Sequence, residues 1–524
     1  MHSPAVDDSE RHRDRSSRWP AVGEVTLIFL IFFVQGAWAA PEVNEPHYLS
    51  KARHYWDAGW CAGDFFCNSA DAHQVFYWTV GWLSQWLSLP ALAWCGRIFT
   101  WGLLAWAWRR LSMALTPGRW YAVLAAGLIV AFNDRLHMAG EWVIGGVEAK
   151  GFAYALVLLG LESLVRASWG RALLLFGAAS ALHVIVGGWA VVATLVAWLA
   201  SRDRPPLSRL VLPLAGGLIL ALPGLLPALA LARGVPAEIV AEANRIYVFD
   251  RLCHHLLPQR FPPLFVVRHL LLIAALAGLV YFAPPNRAFQ RLRAFVAAAV
   301  GISAIGMLIG LLAPNHADLA AALLRYYWFR TSDVMVPLGA ALVLGGILYR
   351  WQTTRPGWHG VGLVAALLIV GCQLGETMWR RQLDPRPPAD EGIANVEAWR
   401  EACQWVAAET APDAVFLTPR LAQTFRWYAG RAEVVNRKDI PQDARGIVEW
   451  RRRNDRIHGM PAGSPTAWRE SLAELGSERL RELGAEFGAD YVITAAYPAL
   501  NLPRVGPINP SVAIYRLSES AAAK

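Results

Sequence analysis

The chain has 524 residues, 55% of them hydrophobic and only 17% charged, with a mean hydropathy of +0.31 and a formal net charge of +9. This is too apolar for a water-soluble domain of such length and makes lipid the solvent for most of it. The excess charge is arginine scattered over loops rather than gathered on one soluble face, which argues against nucleic acid as a partner.

About eleven apolar segments of membrane-crossing type run through the first 380 residues, near 21–40, 90–108, 119–133, 151–166, 171–185, 187–201, 209–232, 263–283, 294–313, 331–350 and 359–378. Arginine clusters fall in alternate gaps: Arg11 to Arg18, Arg109 to Arg119, Arg166 to Arg171, Arg202 to Arg209, Arg287 to Arg293 and Arg350 to Arg355. Positive charge concentrates in cytoplasmic loops, so these gaps and residues 1–20 are placed in the cytoplasm and the remaining loops outside. An odd number of spans puts the C-terminal part outside too. The N-terminus also passes as a secretory signal ending at Ala37-Trp38-Ala39-Ala40; an uncleaved first span is the reading adopted.

Between the first two spans lies a long outer loop, 41–89, far longer than a connection needs. Its second part, Val75 to Ser88, carries Trp78, Trp82 and Trp86 on one helical stripe and predicts a helix lying along the membrane interface. Cys61 and Cys67 share this loop, where an oxidising exterior permits a disulfide or leaves two thiols. The other cysteines are scattered, with no zinc-ligand spacing.

At 381–389 a proline-rich linker ends the bundle, and a smaller domain spans 390–518, followed by a tail at 519–524. Short strands are predicted at Ala414 to Leu417, Glu433 to Val435, Asp490 to Thr494 and Val512 to Tyr515. Helices are predicted at Val396 to Glu409 and Glu470 to Glu486. The fold class is therefore mostly α: a polytopic transmembrane helix bundle with a small extramembrane α/β domain, the whole placed in a bacterial inner membrane. The domain has no phosphate loop, nucleophile elbow or metalloprotease motif.

Glu45, in Asn44-Glu45-Pro46-His47-Tyr48, is the candidate general base. A carboxylate just beyond a span can be raised by desolvation until it takes a proton from a hydroxyl. His47, Asp64, Asp71 and His73 supply polar groups in the same loop, though a solvated loop shows the same residue types. Arg97 lies inside the second span, where an uncompensated charge costs about 2.5–3.5 kcal/mol; it needs a phosphate or a carboxylate such as Glu148. Arg325 and Arg330 flank an aromatic run, and Arg251 precedes His254 and His255. Guanidinium forks grip phosphate oxygens, although snorkelling arginines in an aromatic belt are equally ordinary. Adjacent histidines diverge on a helix and make a poor chelating pair, but one beside Arg251 suits a diphosphate or a proton.

A first span followed at once by a long loop with an early acidic residue, an interfacial helix, a many-span bundle and a C-terminal domain resembles the GT-C class of membrane glycosyltransferases. The resemblance implies transfer of a sugar from a lipid-linked polyprenyl phosphate donor to an acceptor of unknown identity, with Glu45 in the acidic position and Arg97, Arg251 and Arg330 steadying the donor phosphate. Membrane lipids are its other implied partners. It implies no nucleotide cofactor, because the lipid is the activated carrier. The paired acids common in that class read Asn44-Glu45 here, which leaves a divalent metal open. A transporter or flippase, or a non-catalytic assembly protein, remains the alternative.

Overall fold

A computed structural model describes residues 8–518 apart from Gly463 and Pro465, with side chains from Pro20 onward. The side chains of Arg11 to Arg18 and the 519–524 tail lie outside the described residues. In chain order the helices are α1 (Asp8–Gly36), α2 (Glu45–Trp56), α3 (Gln74–Thr79), α4 (Leu89–Leu115), α5 (Tyr121–Leu136), α6 (Ala149–Val165), α7 (Trp169–Leu182), α8 (Val184–Ala200), α9 (Val211–Ala230) and α10 (Ala237–Arg245). They continue as α11 (Cys253–Leu256), α12 (Pro263–Leu279), α13 (Arg287–Gly310), α14 (Ala317–Leu324), α15 (Arg330–Thr354), α16 (Pro356–Leu383), α17 (Val396–Glu409), α18 (Phe425–Ala429), α19 (Ala444–His458) and α20 (Gly476–Phe487). The long apolar ones, α1, α4 to α9, α12, α13, α15 and α16, match the eleven expected segments.

Four of them, α9, α13, α15 and α16, are long and apolar enough to cross a membrane by length and composition. Their burial separates two roles. In α15, 94% of the apolar window is buried, against 17% in α9 and in α16. Thus α15 is the axis of a multi-pass bundle, and α9 and α16 present leucine-rich faces outward. Lipid gives apolar helices no hydrophobic reason to associate, so close packing of small residues holds them. At the α7–α9 contact, a Cβ on Gly177 would sit 2.1 Å from the Gly217 carbonyl oxygen; only glycine permits this approach. The first helix belongs to the bundle, its Phe33 ring meeting Trp101 edge-on at 5.9 Å.

The α4–α5, α6–α7, α8–α9, α12–α13 and α15–α16 connections carry the arginine clusters, while the polar long loops gather at the other end with the C-terminal domain. The tryptophan stripe does not lie on one helix. The chain breaks after Thr79, and Gly81–Gln85 forms a tighter 3-10 turn. Trp78, Trp82 and Trp86 nevertheless stay exposed, with Trp82 against Trp86 at 4.3 Å.

The C-terminal domain is a five-stranded sheet in the order β2-β1-β3-β5-β4, with β1 (Val415–Leu417), β2 (Ala432–Glu433), β3 (Tyr491–Ala495), β4 (Arg504–Val505) and β5 (Val512–Arg516). β1 pairs in parallel with β2 and β3, and β5 runs antiparallel to β3 and β4. One face packs on α17 and α18 through Trp399, Phe416 and Ile493, the other on α19 and α20 through Trp450, Leu480 and Val492. The α17 prediction holds to both ends. The second strand falls at Ala432–Glu433 rather than Glu433 to Val435, α20 starts later than expected behind a 3-10 turn at Leu472–Leu475, and α19 was not expected. The proline-rich segment is no free linker: Ala389 donates its backbone N–H to the Pro41 carbonyl at 3.2 Å and accepts from Gln423 at 2.7 Å.

Candidate active site between the first loop and the C-terminal domain

Glu45 sits at the N-terminus of α2, where its carboxylate meets donors from three directions. Arg97 donates from Nε to Oε1 and from Nη2 to Oε2, both at 2.6 Å. The backbone N–H groups of Val147 and Glu42 donate to Oε1 and Oε2 at 3.0 and 2.8 Å. Arg97 spends its remaining terminal nitrogen on the Trp38 carbonyl at 2.6 Å and lies over the Trp94 ring. Both side chains are wholly buried. The expectation that Glu45 is an open base and Arg97 a phosphate ligand is therefore corrected: the two satisfy each other, and neither Glu148 nor a phosphate is the partner of Arg97.

Three residues earlier stands a carboxylate in the opposite condition. Glu42 Oε2 is buried without a hydrogen-bond partner. Burial first, then the negative Glu148 and Glu45, push Glu42 up to about 7, against the pull of Arg97 and Lys150. Gly146 makes room for it, since a Cβ there would come within 2.9 Å of Glu42 Cβ and Oε2. A carboxyl half-protonated near neutral pH is a competent general base. The resemblance pointed to an early acid in this loop, but which of two neighbours is free depends on Arg97, remote in sequence.

Val43 lines a cleft of about 270 Å³ with Arg251, Pro388, Glu391, Gly392, Leu421, Gln423, Arg437 and Lys438. Arg251 is aimed there by a π-helical turn at Ile246–Arg251, a distortion that recurs at functional sites. Its Nε and Nη2 donate to the Arg437 and Lys438 carbonyls at 2.9 and 3.1 Å, which fix its plane but leave its charge unpaired. Among the described residues Arg437 and Lys438 also lack an ion pair. Burial and then Arg251 lower Lys438 to about 8, although Asp439, Glu42 and Glu148 act to raise it. Burial, Arg251, Arg437 and Lys438 lower His254 to about 4, and burial and His254 lower His255 to about 3. Both rings thus favour the neutral form, and His255 Nδ1 meets the Ala139 carbonyl.

Beside Glu42 a buried chain of ionic groups crosses the domain-side mouth of the bundle. Glu148 meets Asn44 at 3.3 Å and Lys150 at 3.4 Å, and Lys150 reaches Glu141 at 3.7 Å. Glu141 pairs with Arg330 at 3.0 Å, and Arg330 Nη1 lies 2.9 Å from His183 Nε2. Arg330 is therefore near the site yet already neutralised. The His73 ring stacks edge-on against His183 at 5.4 Å, and its Nδ1 meets Asp71 Oδ1 at 2.9 Å. Burial alone would raise Asp71, but Lys51 and His73 outweigh it and hold Asp71 well below the usual carboxylate range. Asp71 and His73 thus support the mouth from behind.

His47 and Asp64 serve elsewhere. Arg426 of α18, fully buried, is bonded to Asp64 at 3.1 Å, to Glu433 at 2.8 Å and to Asp439, while His47 Nδ1 lies 2.9 Å from Asp439. This cluster clamps the C-terminal domain onto the first loop and holds Asp439 next to Lys438. Arg325 binds Asn244 and faces the Tyr247 ring, joining α14 to α10 rather than facing the cleft. Cys61 and Cys67 are two separate buried thiols. No group of three His, Cys, Asp or Glu side chains among the described residues is arranged to hold a metal ion. Lys438, Arg437 and Glu42 were missed as site residues; the one usable signal was Lys438, one of only four lysines, placed between Arg437 and Asp439.

Residues 397–457 match the model of a domain of unknown function, DUF6798. No curated protein matches the chain in sequence. Among solved structures, the arabinofuranosyltransferase AftD from Mycobacteria is similar over 99% of this chain, at 15% identity and a TM-score of 0.48; the chain spans 42% of that protein's length. ArnT from Cupriavidus metallidurans, in a structure bound to undecaprenyl phosphate, is similar over 96% of this chain and 98% of its own, at 12% identity and a TM-score of 0.37. At these values neither likeness assigns a reaction.

Proposed function

We propose that this chain is an integral-membrane glycosyltransferase that takes a sugar from a polyprenyl-phosphate-linked donor and passes it to an acceptor hydroxyl on the exterior face. One observation carries the reading: an unpartnered, half-ionised carboxylate, Glu42, adjoins a cleft whose three cations, Arg251, Arg437 and Lys438, have no carboxylate bonded to them. Neighbouring cations of one sign, of which Arg251 is buried, repel each other until an anion joins them, and a phosphate with its bidentate oxygens suits a guanidinium beside an ammonium.

In this mechanism Arg251 and Lys438 hold the donor phosphate. The acceptor hydroxyl attacks the anomeric carbon as Glu42 takes its proton, the carbon–oxygen bond to phosphate breaks, and its electron pair leaves on the lipid phosphate. The cations stabilise that developing charge, which is the larger part of catalysis in phosphate-leaving reactions. Configuration inverts, because a single displacement forms no enzyme-bound sugar. A transporter needs a midplane site open in turn to each side; here the chain from Glu148 to Arg330 lies at the domain-side end, and α15, 94% buried over its apolar window, fills the middle.

The test uses the full chain in phosphatidylcholine nanodiscs. Undecaprenyl phosphate is titrated in, and consumption of lipid-linked sugars from a bacterial lipid extract is followed by mass spectrometry. The expected result is binding weakened roughly ten- to hundred-fold by Arg251→Gln, with Glu42→Gln binding normally but consuming nothing. Consumption by Glu42→Gln at the wild-type rate would remove Glu42 from the chemistry, and unweakened binding by Arg251→Gln would remove the cleft.

A further inference from the structure

The outer loop between α5 and α6 has no regular structure, yet it is pinned at both ends. Asp333, wholly buried on α15, accepts from the backbone N–H groups of Met138, Ala139 and Glu141 at 2.7, 2.8 and 3.2 Å. At the far end the Gly145 carbonyl accepts from Trp101 Nε1 at 3.0 Å, and Val147 donates to Glu45 at 3.0 Å. Trp142 lies between these anchors, with the Lys150 ammonium 3.8 Å from the centre of its ring. That ammonium is itself held, 3.4 Å from Glu148 and 3.7 Å from Glu141. Backbone and ring are thus fixed before any ligand arrives.

One polar atom of this loop has nothing to bond. Trp142 Nε1 is enclosed without a hydrogen-bond partner, although an indole N–H only donates and ordinarily finds an acceptor when buried. The unsatisfied donor stands beside an unsatisfied acceptor. A Cβ on Gly145 would sit 2.9 Å from Trp142 Nε1 and 3.9 Å from Glu42 Oε1, and a Cβ on Gly146 would sit 2.9 Å from Glu42 Oε2. Among the described residues neither Glu42 oxygen accepts a hydrogen bond. Two consecutive glycines therefore keep side chains away from the edge of a donor and from that of an acceptor, next to each other. A hydroxyl is the group that satisfies both, since its oxygen accepts one bond while its hydrogen donates another. A phosphate would serve the indole and repel the ionised carboxylate; a cation would serve the carboxylate alone.

We infer that Trp142 is an acceptor-binding residue whose indole N–H holds the attacking hydroxyl beside Glu42, with Gly145 leaving room for that hydroxyl between the two. This rests on the transferase reading above, with Glu42 as its base. The hydroxyl oxygen accepts from the indole through one lone pair and presents the other to the anomeric carbon. As the new carbon–oxygen bond forms and the bond to phosphate breaks, the hydroxyl proton passes to Glu42 and the indole keeps its own.

The test uses the full chain in phosphatidylcholine nanodiscs, with a lipid and glycan extract of a bacterial envelope supplying donor and acceptor, and follows lipid-linked sugar consumption at limiting extract against pH. Trp142→Phe, which deletes the N–H and keeps a ring over Lys150, lowers the rate roughly ten-fold and leaves the acid limb at about 7. Its undecaprenyl phosphate affinity stays at the wild-type value, which also reports intact folding. Gly145→Ala lowers the rate at least as far, and adding Trp142→Phe to it costs nothing more, because the hydroxyl is already excluded. Trp142→Phe at the wild-type rate overturns the inference and leaves the indole holding a water at most. So does an acid limb that moves to higher pH in Trp142→Phe: a donor bonded to a carboxylate lowers its pKa, so that shift would mean the indole serves Glu42 itself. No consumption by the wild type, or undiminished consumption by Glu42→Gln, is a different result: it removes the transferase reading or its base, and the Trp142 assignment with it.

Discussion

Arg97 grips Glu45 through two parallel bonds of 2.6 Å inside the protein, and this pair makes Glu42, three residues before it, the free acid. Removing one partner of a buried pair strands the other charge, at a cost of about 3–5 kcal/mol. Glu45→Gln and Arg97→Met should therefore both lower the thermal unfolding midpoint of the purified protein by many degrees. Glu42→Gln should not. Its folded pKa, about 7, lies above the ordinary 4.5, so the ionised form opposes folding and the stability it costs grows as pH rises from 4.5 through 7. At pH 8 the Glu42→Gln protein should melt at or above the wild-type temperature. A lower midpoint for Glu42→Gln than for Glu45→Gln would reverse the two roles.

Transfer should depend on pH as a narrow bell. Glu42 must be ionised to accept a proton, so activity rises as pH passes through about 7. Lys438 must keep its proton to hold phosphate, so activity falls as pH passes through about 8. In kcat/KM against pH, Lys438→Arg should move the alkaline limb to higher pH and leave the acid limb in place. An alkaline limb that stays put in that variant assigns it to another group.

The bundle was legible because lipid demands long apolar runs and arginine marks their ends, and those two signals survive without any knowledge of packing. In the domain, α17 was read to the residue, since Asn395 caps it and its apolar positions recur at helical spacing. The α19 helix escaped because five arginines among its fifteen residues hide an apolar side made by Ile447, Trp450 and Ile457. β4 has two residues and carries no periodicity at all. The site was legible only as a neighbourhood. Glu42 and Glu45 are equivalent in sequence, and what separates them is a guanidinium 52 positions away from the second. Arg437 and Lys438 are held beside the first loop through Asp439, which shares Arg426 with Asp64, a pairing between residues 362 positions apart that no local pattern announces.

That clamp gives a prediction of its own. Arg426 is the shared counter-charge of Asp64, Glu433 and Asp439, so Arg426→Met leaves three buried carboxylates together. The domain should lift from the first loop, with a loss of about 3–5 kcal/mol and new protease cleavage between 384 and 395. Two members of the clamp have opposite pH dependence. Burial would raise Asp439, but Arg426 and His47 outweigh it and hold it well below its ordinary 3.8. Its stabilisation is present above that value and is lost as pH falls further. Burial raises Glu433 to about 7 despite Arg426, so its ionised form works against docking, and that loss sets in as pH rises from the ordinary 4.5 through 7. Glu433→Gln should thus resist protease better than wild type at pH 8. Equal cleavage of the two proteins at that pH would show that Glu433 is paired well enough to stay ionised.

The tightest constraint on the proposed base comes from Gly146. A methyl group at this position would meet Glu42 at 2.9 Å and Glu45 Cγ at 3.0 Å. Glu45 cannot yield, because four donors hold its carboxylate, so Glu42 must. Moving a catalytic group by about 1 Å can cost on the order of a hundred-fold in rate. Gly146→Ala should therefore lower kcat by one to two powers of ten, roughly, while the affinity for undecaprenyl phosphate, set by Arg251 and Lys438 across the cleft, stays unchanged. Gly146→Ala with undiminished kcat would mean that the carboxylate of Glu42 has room to spare and that its position is not what the reaction reads.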